Sequence, residues 1–314
     1  MPANISASRI SGAICGLLLS FACAAAAPGQ PTLPAEVPIN REAGRGGLLS
    51  IPVKLEGGDE VRMIVDTGAP ITLLDKSLVP KLGKRLQSAA ILTFRGKRRA
   101  GIYPAPKLYL GNVQLLTWTN VVTSDLRKLL PHSDTPVLGV LGMDCLSHYR
   151  VQLDFEAQRM RFLDSNHLTA AGLGKAFPLK FAADAAHYGI PVIEHVGLLG
   201  GPVTNIVIDT GNNDDGMVES GAIRRNAADS YTGGPVRRVK HYLAVQGIVK
   251  RDVALPGCVW AGNTYTNIGV GRGGANAPNW IGLRFLARHL VTLDFPNKTM
   301  YLKQTRSGPL TVEN

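Results

Sequence analysis

The tripeptide Asp-Thr-Gly occurs twice in this chain, as Asp66-Thr67-Gly68 and as Asp209-Thr210-Gly211. Each copy directly follows an apolar run, Val61-Arg62-Met63-Ile64-Val65 in the first case and Val203-Thr204-Asn205-Ile206-Val207-Ile208 in the second. Short apolar runs that stop at turn residues are typical of β-strands. The sequence therefore predicts two equivalent strand-to-turn corners, each carrying one carboxylate.

The two motifs belong to a longer internal repeat. Matching segments keep their order along the chain, and the two copies of each are 139 to 147 residues apart. The matched pairs are 51–53 with 190–192, 117–121 with 264–268, 141–146 with 281–286, and 151–155 with 291–295. Stacked repeat arrays have shorter periods and more copies, so the pattern indicates one duplicated domain.

Both halves are predicted to be built from β-strands. Hydrophobic residues make up 45% of the chain and charged residues 18%, which is typical of a folded globular protein and excludes a disordered one. Long amphipathic helical patterns are absent from the sequence, and we expect an all-β fold. Strands are expected at 49–55, 61–65, 108–110, 151–155, 160–163, 190–193, 206–208, 291–295 and 300–302, and short helices at 75–82, 124–130, 142–148 and 283–289.

The N-terminus resembles a secretory signal peptide. Arg9 is the only charged residue among the first 27, and an apolar stretch follows that ends in small residues at Ala27. We expect an exported protein, periplasmic or secreted. A retained membrane anchor and a lipoprotein modified at Cys23 remain alternatives. The expected organisation is 1–27 signal peptide, 28–44 linker or short propeptide, 45–168 N-terminal lobe, 169–305 C-terminal lobe and 306–314 tail.

Neither the cysteines nor the histidines predict a bound metal or cofactor. After removal of the signal peptide the chain keeps Cys145 and Cys258, which are either paired or two buried thiols. Cys145 stands where the second copy has Phe285, which favours a buried apolar position. The seven histidines show no ligand spacing.

The chain is basic, with a formal net charge of +11. Basic runs lie at 95–99 and 237–240, whereas aromatic residues make up only 6% of the chain and no recognition helix is visible. Nucleic-acid binding needs more than charge, so we expect no nucleic-acid partner. The remaining alternatives are a solvated hairpin face and attraction to an anionic envelope or an acidic substrate.

Two carboxylates brought together from equivalent loops have a defined chemistry. Because they cannot both ionise easily, they share one proton over a wide pH range. The ionised member takes a proton from a water molecule, and the protonated member polarises the carbonyl group that the water attacks. We expect Asp66 and Asp209 to form this catalytic pair. Gly68 and Gly211 would let backbone N–H groups reach the carboxylates.

These motifs resemble the aspartic peptidases of the pepsin and retropepsin clan, and the halves resemble bacterial retropepsin-like domains fused in tandem. The resemblance spans about residues 45 to 304 and implies two β-barrel lobes with a central cleft. It implies that Thr67 and Thr210 link the two loops. It also implies that a turn, 140–142 or 280–282, packs against each of them. The second motif departs from the family, because Asn212 stands where Ala or Ser is usual.

The resemblance further implies a hairpin flap beyond the first aspartate. Residues 91–103 fit that place, with Phe94, Gly96 and Tyr103 as the candidate flap residues. Residues 231–245 hold the equivalent place in the second half. Exposed hairpins without a substrate role are the alternative for both segments.

The sequence as a whole predicts an exported aspartic endopeptidase. Its partner would be a peptide or protein substrate, and we expect a monomer with no stable membrane span after signal cleavage. One alternative is a catalytically inactive peptide-binding protein with the same cleft, which the Asn212-Asn213-Asp214-Asp215 stretch motivates. A second alternative, motivated by charge alone, is a basic protein that associates with the envelope or with nucleic acid.

Overall fold

The computed structural model describes residues 33–34, 36–93, 96–129, 136–164, 170–182, 189–197, 203–219, 253–273 and 279–311. The predicted signal peptide and the hairpin at 231–245 lie outside these residues. Strands dominate the described part, which confirms the all-β prediction. No helix within it combines the length and the apolar character that crossing a membrane requires.

The strands follow one another closely along both halves of the chain. They are β1 (Val37–Pro38), β2 (Ser50–Leu55), β3 (Glu60–Val65), β4 (Leu73–Asp75), β5 (Gln87–Thr93), β6 (Gly96–Pro104), β7 (Leu108–Leu110), β8 (Val113–Gln114), β9 (Asn120–Ser124), β10 (Val137–Leu141), β11 (Arg150–Asp154), β12 (Arg159–Phe162), β13 (Lys175–Pro178), β14 (Lys180–Phe181), β15 (Pro191–Gly197), β16 (Val203–Ile208), β17 (Gly216–Glu219), β18 (Val253–Trp260), β19 (Asn263–Gly273), β20 (Asn279–Ile281), β21 (His289–Asp294) and β22 (Thr299–Gln304).

The described helices are single short turns near the predicted places. They are a 3-10 helix at Lys76–Lys81, α1 (Leu126–Leu129), α2 (Met143–Leu146) and α3 (Leu283–Leu286). Asp75 is the N-cap of the 3-10 helix, and its side chain accepts a hydrogen bond from the N–H of Ser77 at 2.9 Å.

A nine-stranded sheet contains the first Asp-Thr-Gly corner, in the order β5-β6-β9-β4-β10-β3-β2-β7-β8. Strand β3, which leads into Asp66, pairs in parallel with β10. Strand β10 also pairs antiparallel with β4, the strand that follows the corner. The corner is therefore surrounded by strands that are central in the sheet and buried.

A seven-stranded sheet repeats this arrangement in the second half, in the order β14-β15-β16-β20-β17-β19-β18. Strand β16 leads into Asp209 and pairs in parallel with β20, which pairs antiparallel with β17. Strand β17 in turn pairs in parallel with β19, as β4 does with β9. The repeat seen in the sequence is thus also a repeat of strand topology.

A third sheet joins the two halves through six strands in the order β1-β12-β11-β21-β22-β13. At its centre β11 of the first half pairs antiparallel with β21 of the second, and Gln152 lies opposite Thr292. The Gln152 amide donates a hydrogen bond to the Thr292 hydroxyl at 3.1 Å. A single apolar cluster includes residues of all three sheets, so the halves share one continuous core.

A buried ion pair crosses the same strand pair. The Arg150 guanidinium lies 2.7 Å from the Asp294 carboxylate, and the side chains are only 5% and 2% exposed. A second ion pair between the halves, Arg306 with Glu156 at 3.0 Å, has side chains that are 38% and 47% exposed. Loss of one partner leaves an uncompensated charge in the first pair but a hydrated charge in the second.

Replacing Arg150 by Met should lower the free energy of unfolding by about 3–5 kcal/mol, because the Asp294 carboxylate stays buried without a counter-charge. Urea denaturation followed by circular dichroism measures the change. The control is Arg306→Met, which removes the exposed pair and should cost about 1 kcal/mol or less. Equal losses of unfolding free energy in the two variants would show that burial does not determine how much each ion pair contributes to stability.

Candidate active site

The structure brings the two predicted aspartates together. Asp66 follows the last residue of β3 and Asp209 the last residue of β16, and both are almost fully buried, with exposures of 5% and 7%. Each backbone N–H donates to the parallel neighbour strand, Asp66 to the Leu141 carbonyl at 3.1 Å and Asp209 to the Ile281 carbonyl at 3.0 Å. The two corners are therefore held in equivalent positions by their own sheets.

Thr67 and Thr210 connect the two corners by reciprocal hydrogen bonds. The N–H of Thr67 donates to the Thr210 hydroxyl, and the N–H of Thr210 donates to the Thr67 hydroxyl, both at 3.0 Å. Each hydroxyl donates onward to a strand carbonyl of the opposite half, Thr67 to Ile208 at 2.6 Å and Thr210 to Val65 at 2.8 Å. Both side chains are fully buried. The four bonds fix the separation of the two loops.

Gly68 and Gly211 allow the carboxyl groups to approach each other. The N–H of Gly68 donates to Asp66 Oδ1 at 2.8 Å, and the N–H of Gly211 donates to Asp209 Oδ1 at 2.9 Å. A Cβ atom at Gly68 would lie 2.6 Å from Asp209 Oδ1, and one at Gly211 would lie 2.4 Å from the Asp66 carboxyl carbon. Any side chain at either position would displace the aspartate of the opposite half.

Burial is the main cause that raises the pKa of both carboxyl groups above their usual range. For Asp66 the backbone N–H of Gly68 and a hydrogen bond with Asp209 oppose this rise in pKa. For Asp209 the pKa is raised well above the ordinary value, first by burial and then by repulsion from Asp66. Since two ionised carboxylates at this separation repel each other, the pair retains one proton over a wide pH range.

The Gly turn of each half packs behind its own aspartate loop. The N–H of Met143 donates to the Ala69 carbonyl at 2.8 Å, and the N–H of Leu283 donates to the Asn212 carbonyl at 2.6 Å. Met143 and Leu283 are the first residues of α2 and α3. These short helices therefore begin at the point where each turn supports its loop.

The first loop is supported by a neutral hydroxyl and a buried carboxyl group. Both the N–H and the hydroxyl of Thr72 donate to Asp144 Oδ1 at 2.7 Å, and Thr72 accepts a bond from the Gly142 N–H at 3.2 Å. Burial raises the pKa of Asp144. The sequence gave no indication that Asp144, a carboxyl group in an otherwise apolar turn, would be the partner of Thr72.

The second loop is supported by a buried ion pair instead. Asp215 stands six residues after Asp209, as Thr72 does after Asp66, and forms a salt bridge with Arg288 in which both side chains are fully buried. Asp215 Oδ2 also accepts a bond from the Gly269 N–H at 2.7 Å. The Arg288 guanidinium donates to the Arg284 carbonyl at 3.0 Å and the Asn267 carbonyl at 3.2 Å. An arginine in a sequence is normally read as exposed, so its role was missed.

Asn212 occupies the place where the second motif departs from the family. It is 1% exposed, and its Oδ1 accepts a hydrogen bond from the Asp214 N–H at 3.0 Å. Its amide nitrogen is buried and has no hydrogen-bond partner within the described residues. The next residue, Asn213, donates to the Gly46 carbonyl at 2.7 Å and so ties the second loop to the N-terminal segment. Asn212 Oδ1 and the Asn213 amide thus hold the loop by local hydrogen bonds, while the Asn212 amide nitrogen is without a partner among the described residues.

The candidate flap is a β-hairpin in the structure, formed by β5 and β6. Phe94 at its tip lies outside the described residues, and Gly96 is the first residue of β6. Tyr103 belongs to the hydrophobic core at the base of the hairpin and is 8% exposed. The structure therefore places Tyr103 away from the tip, where a flap residue that covers a substrate would have to lie.

The described residues contain no cluster of three or more His, Cys, Asp or Glu side chains able to hold a metal ion. Cys145 is a buried free thiol, and burial raises its pKa above the ordinary value. The side chain of Cys258 lies outside the described residues.

Residues 51–145 match the family model described as aspartyl protease, and this segment contains the first Asp-Thr-Gly corner. No curated protein matches the chain. Among solved structures, the chain is similar to the one titled "Crystal structure of edgp" with a TM-score of 0.55 and 11% sequence identity. The match covers 88% of this chain and 96% of that chain. At such an identity the likeness shows the fold alone.

Together these findings confirm the predicted resemblance to aspartic peptidases and the all-β, bilobal fold. The aspartyl protease match over residues 51–145 of the first half supports a protease-type function for the chain. The family model ends at Cys145 and does not reach Asp209. The role of the second carboxylate therefore rests on the geometry described above.

Replacing Thr67 by Val should lower the free energy of unfolding by about 2–5 kcal/mol, because the buried Thr210 N–H and the Ile208 carbonyl each lose their partner. Chemical denaturation monitored by tryptophan fluorescence measures the loss. The matched control, Thr67→Ser, keeps the hydroxyl and should cost only about 1 kcal/mol for the lost methyl group. If Ser is as costly as Val, the reciprocal hydrogen bonds do not hold the loops.

Replacing Asp209 by Asn should raise the melting temperature near neutral pH and change it little near pH 3. The raised pKa means that the folded protein binds the shared proton more tightly than the unfolded chain does. Stability is therefore lost as pH rises above the ordinary carboxyl pKa of 3.8, and Asn removes that loss. Differential scanning calorimetry across this pH range measures the effect.

The control for this experiment is Asp125→Asn, which should act in the opposite direction. The hydrogen bond from Lys76 lowers the pKa of Asp125, so its ionised form stabilises the folded state above the ordinary carboxyl pKa. Its loss should slightly lower the melting temperature near neutral pH and have no effect at low pH. A destabilised Asp209→Asn variant near neutral pH would contradict the burial of an ionisable pair.

Proposed function

We propose that the protein is an exported aspartic endopeptidase that hydrolyses peptide bonds with Asp66 and Asp209 as its catalytic pair. The observation that carries the proposal is the pairing of two buried carboxyl groups across the reciprocal Thr67–Thr210 hydrogen bonds. A structural role alone would not need two carboxyl groups to be buried in contact, since their desolvation is costly. The aspartyl protease match over residues 51–145 supports the same reaction class.

The reaction begins with a water molecule held between the two carboxyl groups. The ionised aspartate accepts a proton from this water as its oxygen attacks the carbonyl carbon of the peptide bond. The protonated aspartate donates its proton to the carbonyl oxygen, which gives a tetrahedral diol. The aspartate that took the proton of the water then gives it to the amide nitrogen, while the other aspartate accepts a proton from a diol hydroxyl. The C–N bond breaks, an amine and a carboxylic acid are released, and the pair again holds one proton.

The reaction needs one ionised and one protonated carboxyl group, so the pair must hold a single proton. With both carboxyl groups protonated, no base activates the water, and with both ionised, no acid polarises the carbonyl group. Activity should therefore follow a bell-shaped pH profile whose limbs report the two apparent pKa values of the pair. Because burial raises the pKa of both groups, the alkaline limb lies above the ordinary carboxyl range.

Export follows from the sequence of the first 27 residues. Arg9, the apolar stretch behind it and the small residues up to Ala27 support removal of a signal peptide. The proposal places the mature protein in the periplasm or outside the cell, where peptides and proteins are its substrates. N-terminal sequencing of the protein recovered after export tests this directly, and a mature chain beginning far from Pro28 would contradict the assignment.

The activity test is cleavage of a mixed peptide library by the purified mature protein from about pH 3 to pH 8. Wild-type protein should cleave, and Asp66→Asn and Asp209→Asn should each lose at least about a thousandfold in kcat/KM, because each variant removes one of the two proton-transfer groups. Mass spectrometry of the products gives the cleavage sites.

Asp125→Asn is the matched control, since it replaces a partly buried carboxylate that pairs with Lys76 outside the site. It should retain wild-type cleavage. Full activity in either Asp66→Asn or Asp209→Asn would reject the proposal. A folded wild-type protein that binds peptides but cleaves none at any pH would instead favour the peptide-binding alternative.

A further inference from the structure

The hairpin of β5 and β6 extends beyond the nine-stranded sheet as a two-stranded arm. Strand β5 pairs with β6 along its whole length, from Gln87 opposite Ile102 to Thr93 opposite Gly96. Strand β6 pairs with β9 only from Gly101 onward, and β5 is the edge strand of the sheet. We call residues 84–93 and 96–100 the basic arm.

The segment around the basic arm carries positive charge only. Between residues 76 and 124 there are nine Lys and Arg residues and no Asp or Glu, in a chain whose total net charge is +11. Five of these cations lie in the basic arm itself, namely Lys84, Arg85, Lys97, Arg98 and Arg99. An exposed protein surface normally mixes charges of both signs, and a stretch of one sign creates a field that attracts the opposite charge.

The lysines that flank the basic arm form ion pairs with carboxylates, whereas the cations described within the arm form none with another described residue. Lys76, Lys81 and Lys107 form salt bridges with Asp125, Asp59 and Glu56.

In the arm, four described cations are exposed, and none forms an ion pair with another described residue: Lys84, Arg85, Arg98 and Arg99. Because successive strand residues point to opposite faces, Arg98 and Arg99 present charge on both faces of the ribbon. The arm is thus positively charged on whichever face a ligand approaches.

The basic arm belongs to the sheet that carries the candidate active site. Its base pairs with β9, where Gly101 lies opposite Thr123. Strand β9 pairs in parallel with β4, where Leu73 lies opposite Val122. Strand β4 begins seven residues after Asp66. A polypeptide held by the arm is therefore attached to the same sheet that positions the first carboxylate.

We propose that the basic arm binds acidic segments of polypeptides and gives the peptidase a preference for acidic substrates. The exposed guanidinium groups pair with Glu and Asp side chains, and the outer edge of β5 offers backbone N–H and C=O groups to an extended chain. The substrate preference rests on the proposed peptidase function, whereas the binding of acidic polypeptides does not.

Protection of an exposed strand edge is the competing explanation for these charges, because charged edges prevent pairing with other chains. The edge strand β5 contains no charged residue, and Arg98 and Arg99 lie on β6, so edge protection does not account for their placement. Nor does it account for the absence of any Asp or Glu between residues 76 and 124. It also predicts no affinity for a particular class of ligand. The two explanations therefore differ in a measurable way.

The binding experiment uses the mature Asp66→Asn protein, which does not consume the ligand, and a fluorescein-labelled peptide of alternating Glu and Gly. Fluorescence anisotropy measures Kd at low and at moderate salt. The variant Arg98→Glu/Arg99→Glu should weaken binding about tenfold or more, because ion pairs are replaced by repulsion. A peptide of alternating Gln and Gly should bind no better than background.

The control variant is Lys298→Glu/Lys303→Glu, which makes the same change in net charge at two exposed lysines near β22. It should change Kd less than about twofold, since β22 belongs to the six-stranded sheet and not to the sheet that bears the arm. Equal weakening in both variants, or no binding by the parent protein, would overturn the proposal. Tighter arm-dependent binding to a DNA oligonucleotide or to phosphatidylglycerol vesicles would overturn it as well.

The substrate preference is tested with the active protein and two cleavable peptides that differ only in Glu or Gln residues flanking the cleaved bond. The ratio of kcat/KM for the Glu peptide over the Gln peptide should exceed one and fall about tenfold in Arg98→Glu/Arg99→Glu. An unchanged ratio would overturn the preference. Failure of either peptide to be cleaved would count against the peptidase function, while the binding result still decides the role of the arm.

Discussion

The reciprocal hydrogen bonds of Thr67 and Thr210 are the interaction on which the geometry of the site depends. The hydroxyl of each threonine donates to a strand carbonyl of the other half, and the N–H of each donates to the hydroxyl of the other threonine. Neither corner can therefore form its hydrogen bonds without the other. Because Asp66 and Asp209 directly precede these residues, a shift of either loop would move a carboxylate. The burial of both threonines protects the four bonds from competition by water.

The surrounding structure holds the loops against the repulsion between the carboxylates. Backbone N–H groups of Gly68 and Gly211 compensate part of the cost of burying them. Behind the loops the two halves use different chemistry, a Thr72 hydroxyl on one side and an Asp215 carboxylate on the other. Thr72 connects the first loop to its Gly turn at Gly142, and Asp215 connects the second loop to Arg288, which follows α3. Rigid support of this kind is what preorganises a catalytic pair.

Much of this arrangement followed from the sequence because the deciding features are local. A strand that ends at Asp-Thr-Gly needs only a few adjacent residues, and its repetition predicted the all-β, two-lobed fold. The buried Arg150 and Arg288 were not predicted, since their partners are distant in the chain or have no motif. Nor does local sequence show that β11 and β21 lie side by side at the centre of a shared sheet. The prediction of Tyr103 as a flap residue was wrong, because spacing alone does not distinguish a core residue from a residue at the tip of a hairpin.

The presence of both loops in one chain has a consequence for how such a site can evolve. When two identical subunits supply the two aspartates, every substitution enters the site twice and the halves must stay the same. Here a change at Asn212 or Asp215 alters only one side, and the amide and the ion pair on that side have no counterpart beside Asp66. One chain can therefore give its two chemically identical acids separate surroundings, and selection can adjust the donor and the acceptor of the proton independently.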